Sequence, residues 1–152
     1  MPKIVAYVDD SRDDLFLFQS ACNMARVKLQ PLLIEGGIEA MHFLAREGQY
    51  ADKKKFPDPT LVLLDLKMPA VDGFDVLRQL RADPKYGNRP VALLSSSYLP
   101  EDIQRAKELG ATWYFVKPTD IHGLMDFVLL LDDCLIDPKG CTGGIGRVSK
   151  FK

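Results

Sequence analysis

Residue types suited to phosphoryl and metal chemistry sit at the ends of four apolar runs. Asp9-Asp10 closes the first, Asp65 another, Ser95-Ser96-Ser97 a third and Lys117-Pro118 the last. Side chains alternate along a strand, so two adjacent acids can face one site only where the strand has ended. If these ends meet, three carboxylates lie together, and like charges a few Å apart raise one another's pKa or require a cation between them. A hard divalent ion meets that need, and Mg²⁺ takes one or two carboxylates together with waters and a phosphate. A lysine and a hydroxyl beside such a cluster supply positive charge and a donor for phosphoryl oxygens. Each fragment also has an ordinary use. Asp9-Asp10-Ser11 with Asp13-Asp14 reads as a helix cap with an acidic first turn, and Asp65 as a turn cap. Their common placement at strand ends is what favours a site.

Periodicity predicts the elements that must position them. Strand-like runs cover residues 3–8, 32–34, 61–64, 91–94 and 113–116. Between them the spacing is helical: from Asp13 through Leu15, Phe18, Cys22 and Ala25; from Ile38 through Met41 and Ala45 to Gly48; over residues 74–83; and over residues 100–109. A fifth helix carries Ile121, Leu124, Met125, Val128 and Leu131. Pro100 suits a first helical turn, Glu101 and Asp102 favour that helix's dipole, and Gly110 suits its cap. Residues 48–60, with Lys53-Lys54-Lys55, Pro57 and Pro59, form a long surface connection. Five strands alternating with five helices imply an α/β, doubly wound, flavodoxin-like sandwich. Its parallel sheet has the order 2-1-3-4-5, with helices on both faces and a site at the carboxyl ends of the strands.

Val8-Asp9-Asp10, Leu63-Leu64-Asp65-Leu66-Lys67-Met68-Pro69, Asp72-Gly73, Leu94-Ser95-Ser96 and Val116-Lys117-Pro118 together resemble the receiver domain of bacterial two-component response regulators. The match covers about residues 3–133, in the family's order and spacing. The resemblance implies that Asp65 accepts a phosphoryl group from the phosphohistidine of a histidine kinase. Asp10 would ligate Mg²⁺, or Mn²⁺ in its place, with Asp9 in support partly through water. Asp65 and the backbone carbonyl of Lys67 would complete the protein's share of the shell. Lys117 would pair with phosphoryl oxygens, Ser95 would take the switch hydroxyl position and Tyr114 the aromatic switch position. Gly73 would permit a tight turn after the acceptor loop. The face of the fourth helix, fifth strand and fifth helix would then bind a downstream protein or a second copy, with Tyr114 turning in from a more exposed rotamer. The long second-helix-to-third-strand connection is similar to that of single-domain regulators linked to phytochrome kinases.

Residues 1–137 thus read as one receiver domain, and residues 138–152, Gly-rich with Arg147, Lys150 and Lys152, as a mobile tail. The chain has 152 residues, 47% apolar and 27% charged, the balance of a single globular domain. Twenty basic against twenty-one acidic side chains give a net charge of −1, which disfavours a nucleic-acid binder. The longest apolar run, Phe127 to Leu131, falls far short of the roughly 18 residues of a membrane span. With no room for a signal peptide before the first strand, the expected compartment is the cytoplasm. Cys22, Cys134 and Cys141 form neither a disulfide framework nor a zinc pattern; Cys134 and Cys141, near and within the tail, could form a slow adventitious disulfide, which a reducing cytoplasm does not suggest. His42 and His122 read as surface helix positions.

Two other functions compete with a phosphoacceptor switch. Haloacid-dehalogenase-like phosphatases use similar residues, but carry the nucleophile on the first strand with a second acid two residues on. Here the acidic pair comes first and Lys67 stands where that acid would be. A receiver-shaped scaffold that no longer accepts phosphate is disfavoured by the intact set Asp9, Asp10, Asp65, Ser95 and Lys117.

Overall fold

The computed structural model describes residues 3–137 and 149–150. Strands β1 (Ile4–Asp9), β2 (Gln30–Glu35), β3 (Leu61–Asp65), β4 (Val91–Ser95) and β5 (Trp113–Val116) alternate with five helices. These are α1 (Arg12–Ala25), α2 (Gly37–Leu44), α3 (Gly73–Ala82), α4 (Pro100–Glu108) and α5 (Ile121–Ile136). The five strands are parallel, in the order β2-β1-β3-β4-β5. A sixth, β6 (Ser149–Lys150), pairs antiparallel with β5, opposite Trp113 and Tyr114. The remainder of the expected mobile tail lies outside the described residues.

Strand alternation divides the apolar side chains between two layers. Ala6, Val8, Val62, Leu64, Val91 and Leu93 pack toward Phe43 of α2, Val76, Leu77 and Leu80 of α3, and Ala106 of α4. Val5, Tyr7, Leu61, Leu63, Ala92, Leu94, Trp113 and Phe115 pack toward Phe18 and Cys22 of α1 and Phe127, Val128 and Leu131 of α5. Both faces of the central strands are therefore covered, as their unbroken apolar runs require.

The connection after α2 is anchored as well as exposed. A 3-10 turn over Gly48–Ala51 buries Tyr50, whose ring meets Phe43 and Phe56 edge-on. Arg46 donates to the Tyr50 carbonyl at 3.0 Å and to Asp58 at 2.6 Å, closing the segment on itself. The periodicity of residues 38–48 overran the helix by four residues because Arg46 takes a left-handed φ of 55°.

Candidate functional site

Asp9 is the last residue of β1 and fully buried; Asp65 is the last of β3 and 6% exposed; Ser95 is the last of β4 and buried. Asp10 follows β1 on the surface, and Lys117 follows β5. Because β1 and β3 are neighbours, carboxylate oxygens of Asp9, Asp10 and Asp65 come within 4.8 Å of one another. Lys117 crosses the strand ends to reach them: Nζ donates to Asp9 Oδ2 at 2.8 Å, Asp14 Oδ2 at 2.9 Å and Asp65 Oδ1 at 3.2 Å.

Burial, and next the charge of Asp9, pushes the Asp65 carboxyl up to about 6, against the opposing pull of Lys117. For Lys117, burial works to lower the pKa, but hydrogen bonds to Asp9 and Asp14 and the charge of Asp65 outweigh it and raise it. The ammonium therefore stays charged at neutral pH. The cluster is an acid-rich, oxygen-only donor set with one fixed cation beside it. That chemistry fits a hard divalent ion and a phosphoryl group.

Local structure explains why these side chains stay in place. Ser11 caps α1 by accepting from Asp14 N at 3.2 Å, while its own N–H donates to Asp9 Oδ1 at 2.9 Å. Asp72 and Asp75 form a reciprocal capping box that starts α3. Gly73 lets the chain close tightly behind the acceptor: its N–H donates to the Leu66 carbonyl at 2.9 Å, and a Cβ there would lie 2.5 Å from the Asp65 carbonyl oxygen. The left-handed position in that loop is Ala70, with φ 66°.

Other expected residues lie near the cluster in different ways. The Ser95 Oγ accepts from Ser97 N at 3.0 Å, within its own loop. Lys67, exposed, lines an open groove with Met68, Asp72 and Arg105. Tyr114 does not start from an exposed rotamer. It is fully buried in the layer that holds Leu93 and Ala106 of α4, and its hydroxyl donates to the Ser97 carbonyl at 2.7 Å. His42 and His122 are exposed helical residues, His42 3.4 Å from Glu47 and His122 in the first turn of α5. Cys22 is a free, buried thiol, but Cys134 is disulfide-bonded, the alternative that a reducing compartment did not suggest.

Three participants were given no role of their own by the sequence. Asp14 looked like first-turn acid, yet its carboxylate accepts from Lys117 Nζ at 2.9 Å. Tyr7 looked like core; its hydroxyl donates to Asp9 Oδ2 at 2.5 Å. Ser97 gathers the loop after β4, its hydroxyl donating to Asp102 at 2.6 Å and accepting from Leu99 N. A polar residue two positions from a functional one was the available signal for both Tyr7 and Ser97.

Among the described residues, no helix is long and apolar enough to cross a membrane. A family model described as the response regulator receiver domain matches residues 5–129. The response regulator Rcp1 of Synechocystis sp. is 31% identical over 127 residues, covering 84% of each chain. Sporulation initiation phosphotransferase F of Bacillus subtilis is 29% identical over 84% of this chain and 92% of its own. The phosphorylated cyanobacterial phytochrome response regulator RcpA superposes with a TM-score of 0.80 at 30% identity, over 91% of this chain and 96% of that one. The Mn²⁺-bound form of Rcp1 gives 0.77 at 27% identity, over 96% and 100%. With a family match across most of its length and the strand-end cluster in place, the chain belongs to the response regulator receiver family.

Proposed function

We propose that this protein takes a phosphoryl group onto Asp65 from a histidine kinase and converts the event into a change of binding surface. The observation that carries the reading is the meeting of Asp9, Asp10 and Asp65 within 4.8 Å, with Lys117 Nζ 3.2 Å from Asp65 Oδ1. In the transfer, an Asp65 carboxylate oxygen forms the O–P bond as the P–N bond of the donor phosphohistidine breaks. The electron pair stays with the imidazole, which takes up a proton. Lys117 offers its charge to the arriving phosphoryl oxygens.

Asp10 and Asp65 would hold Mg²⁺ or Mn²⁺ directly, with Asp9 partly through water and the Lys67 carbonyl. When bound, the ion supplies positive charge against which phosphoryl charge accumulates. The Lys67 side chain, in the groove over the acceptor loop, would restrict the path of attacking water and so set the lifetime of the adduct.

The readout follows from the loop after β4. For its hydroxyl to reach the phosphoryl group, Ser95 must give up its bond from Ser97 N, and the Ser97 carbonyl is what holds the Tyr114 hydroxyl. Movement at Ser95 thus shifts the ring's anchor and the adjoining face of α4, β5 and α5. That face would bind a downstream protein or a second copy. The likeness to the phytochrome response regulator RcpA supports a phytochrome-type kinase as donor, and the cytoplasm is the compartment this reading assigns.

The test is incubation with acetyl phosphate, with and without Mg²⁺, followed by intact mass. An acid-labile adduct of one phosphoryl group that needs the cation supports the reading; no adduct with Mg²⁺, nor with Mn²⁺ in its place, overturns it.

A further inference from the structure

Lys117 is shared among three carboxylates, and one of them, Asp14, has no part in the scheme above. Asp14 accepts from Nζ at 2.9 Å, nearer than Asp65 at 3.2 Å. We propose that Asp14 is a positioning residue that holds the Lys117 ammonium between phosphorylation events and competes with the phosphoryl group for it. This rests on the reading of Asp65 as the acceptor.

An ammonium has three N–H donors, and here three carboxylates take them. A phosphoryl group on Asp65 takes the donor that the Asp65 carboxylate gives up and, with three charged oxygens, draws on a second, so the bond to Asp9 or to Asp14 must be released. The side chains of Asp9 and Asp65 are 1% and 9% exposed, whereas that of Asp14 is 39% exposed. Stripping a cation from buried Asp9 would leave an uncompensated charge out of water. Asp14 instead borders a cavity of about 120 Å³ with Tyr7, Leu17, Thr119 and Ile121, so water can replace the ammonium there. The first turn of α1 favours the charge left behind, and Asp14 N stays bonded to Ser11 Oγ whatever the side chain does. The Asp14 bond is therefore the one that breaks, and its strength is subtracted from the phosphorylated state.

Removing the acceptor charge at Asp14 strengthens the response to phosphoryl. Titration of the full chain with beryllium trifluoride in Mg²⁺, followed by NMR, reads this directly. Asp14→Asn should bind the analogue about three- to five-fold more tightly, the scale of a partly exposed ion pair; Asp14→Glu should stay near the unmodified affinity. Asp13→Asn, the same charge change at an exposed neighbour, should give a smaller gain. In a Lys117→Met background the gain from Asp14→Asn should vanish, which neither a general charge effect nor a structural role would produce. Unchanged or weaker binding by Asp14→Asn, an equal gain in Asp13→Asn, or a gain that survives Lys117→Met would overturn the proposal.

A second measurement needs no variant. The coupling across the hydrogen bond from Lys117 Nζ to the Asp14 carboxylate should disappear when the analogue binds, while that to Asp9 remains. Its persistence in the bound state would also overturn the proposal. A chain that forms the acetyl phosphate adduct but shows no Asp14 effect loses only this inference. A chain that forms no adduct loses the acceptor reading with it.

Discussion

The Tyr7 hydroxyl and the Lys117 ammonium donate to the same oxygen, Asp9 Oδ2, at 2.5 and 2.8 Å. The other oxygen, Oδ1, accepts from Ser11 N at 2.9 Å, so a carboxylate with no exposure is bonded on both oxygens. Burial, and then the charge of Asp9, raises the Tyr7 phenol, which therefore stays a donor throughout the working pH range. Tyr7→Phe should cost about 1–2 kcal/mol in urea unfolding at neutral pH with chelator present, since a buried acceptor loses one donor. A cost below a few tenths would show that Lys117 and Ser11 satisfy Asp9 without it.

Lys117→Met should be more damaging in the absence of metal. It leaves Asp9, Asp14 and Asp65 without their shared cation, at a cost of about 2–4 kcal/mol. Divalent cation should recover part of that loss, and acid should shrink it as the carboxylates protonate. Urea titrations in chelator, in excess Mg²⁺ and at lower pH check all three. An equal loss under every condition would mean that the lysine acts through packing alone.

Asp65, pushed up to about 6 by burial and by Asp9, makes a pH-dependent contribution of known sign. Between its ordinary value of 3.8 and about 6 the native state holds a proton that the unfolded state has released, so stability falls as pH rises through that window. Asp65→Asn removes that contribution. In chelator the variant should match the unmodified chain below pH ~4 and exceed it by on the order of 2–3 kcal/mol above the window. Unfolding free energies across that range decide it; parity of the two proteins at neutral pH would mean that Asp65 ionises as an ordinary surface acid.

The parallel sheet was legible because Leu61-Val62-Leu63-Leu64 and Val91-Ala92-Leu93-Leu94 are apolar without alternation, which only strands covered on both faces tolerate. Asp9, Asp10, Asp65 and Lys117 were legible because the fold class alone specifies that strand ends meet. Hydrogen-bond partners were not. Nothing in the composition of α1 says that Asp14 rather than Asp13 turns toward Lys117, and Tyr7 is indistinguishable by type from a core aromatic. The rotamer of Tyr114 depends on a carbonyl at Ser97 that no side-chain pattern encodes. The pairing of β6 with β5 likewise comes from backbone geometry at a sheet edge.

The route from Ser95 to Tyr114 through Ser97 predicts a separation of effects. Ser95→Ala and Tyr114→Phe should both still accept phosphoryl from acetyl phosphate. Each should weaken phosphorylation-dependent association with itself or a partner, because one end of the relay is cut. Sedimentation of the phosphorylated variants reads this. Normal phosphorylation with normal association in both would send the signal out by another surface.

The central claim is that Asp65 carries the phosphoryl group. The direct measurement is intact mass and peptide mapping after acetyl phosphate treatment, for the unmodified chain and Asp65→Asn, each with divalent cation and with chelator. The account predicts one acid-labile adduct on the peptide containing Asp65, in the unmodified chain with cation present. It predicts no adduct in Asp65→Asn, because the amide keeps the shape of the carboxylate but is a poor nucleophile. A full-yield adduct in Asp65→Asn, or one mapped to another residue of the unmodified chain, would contradict it.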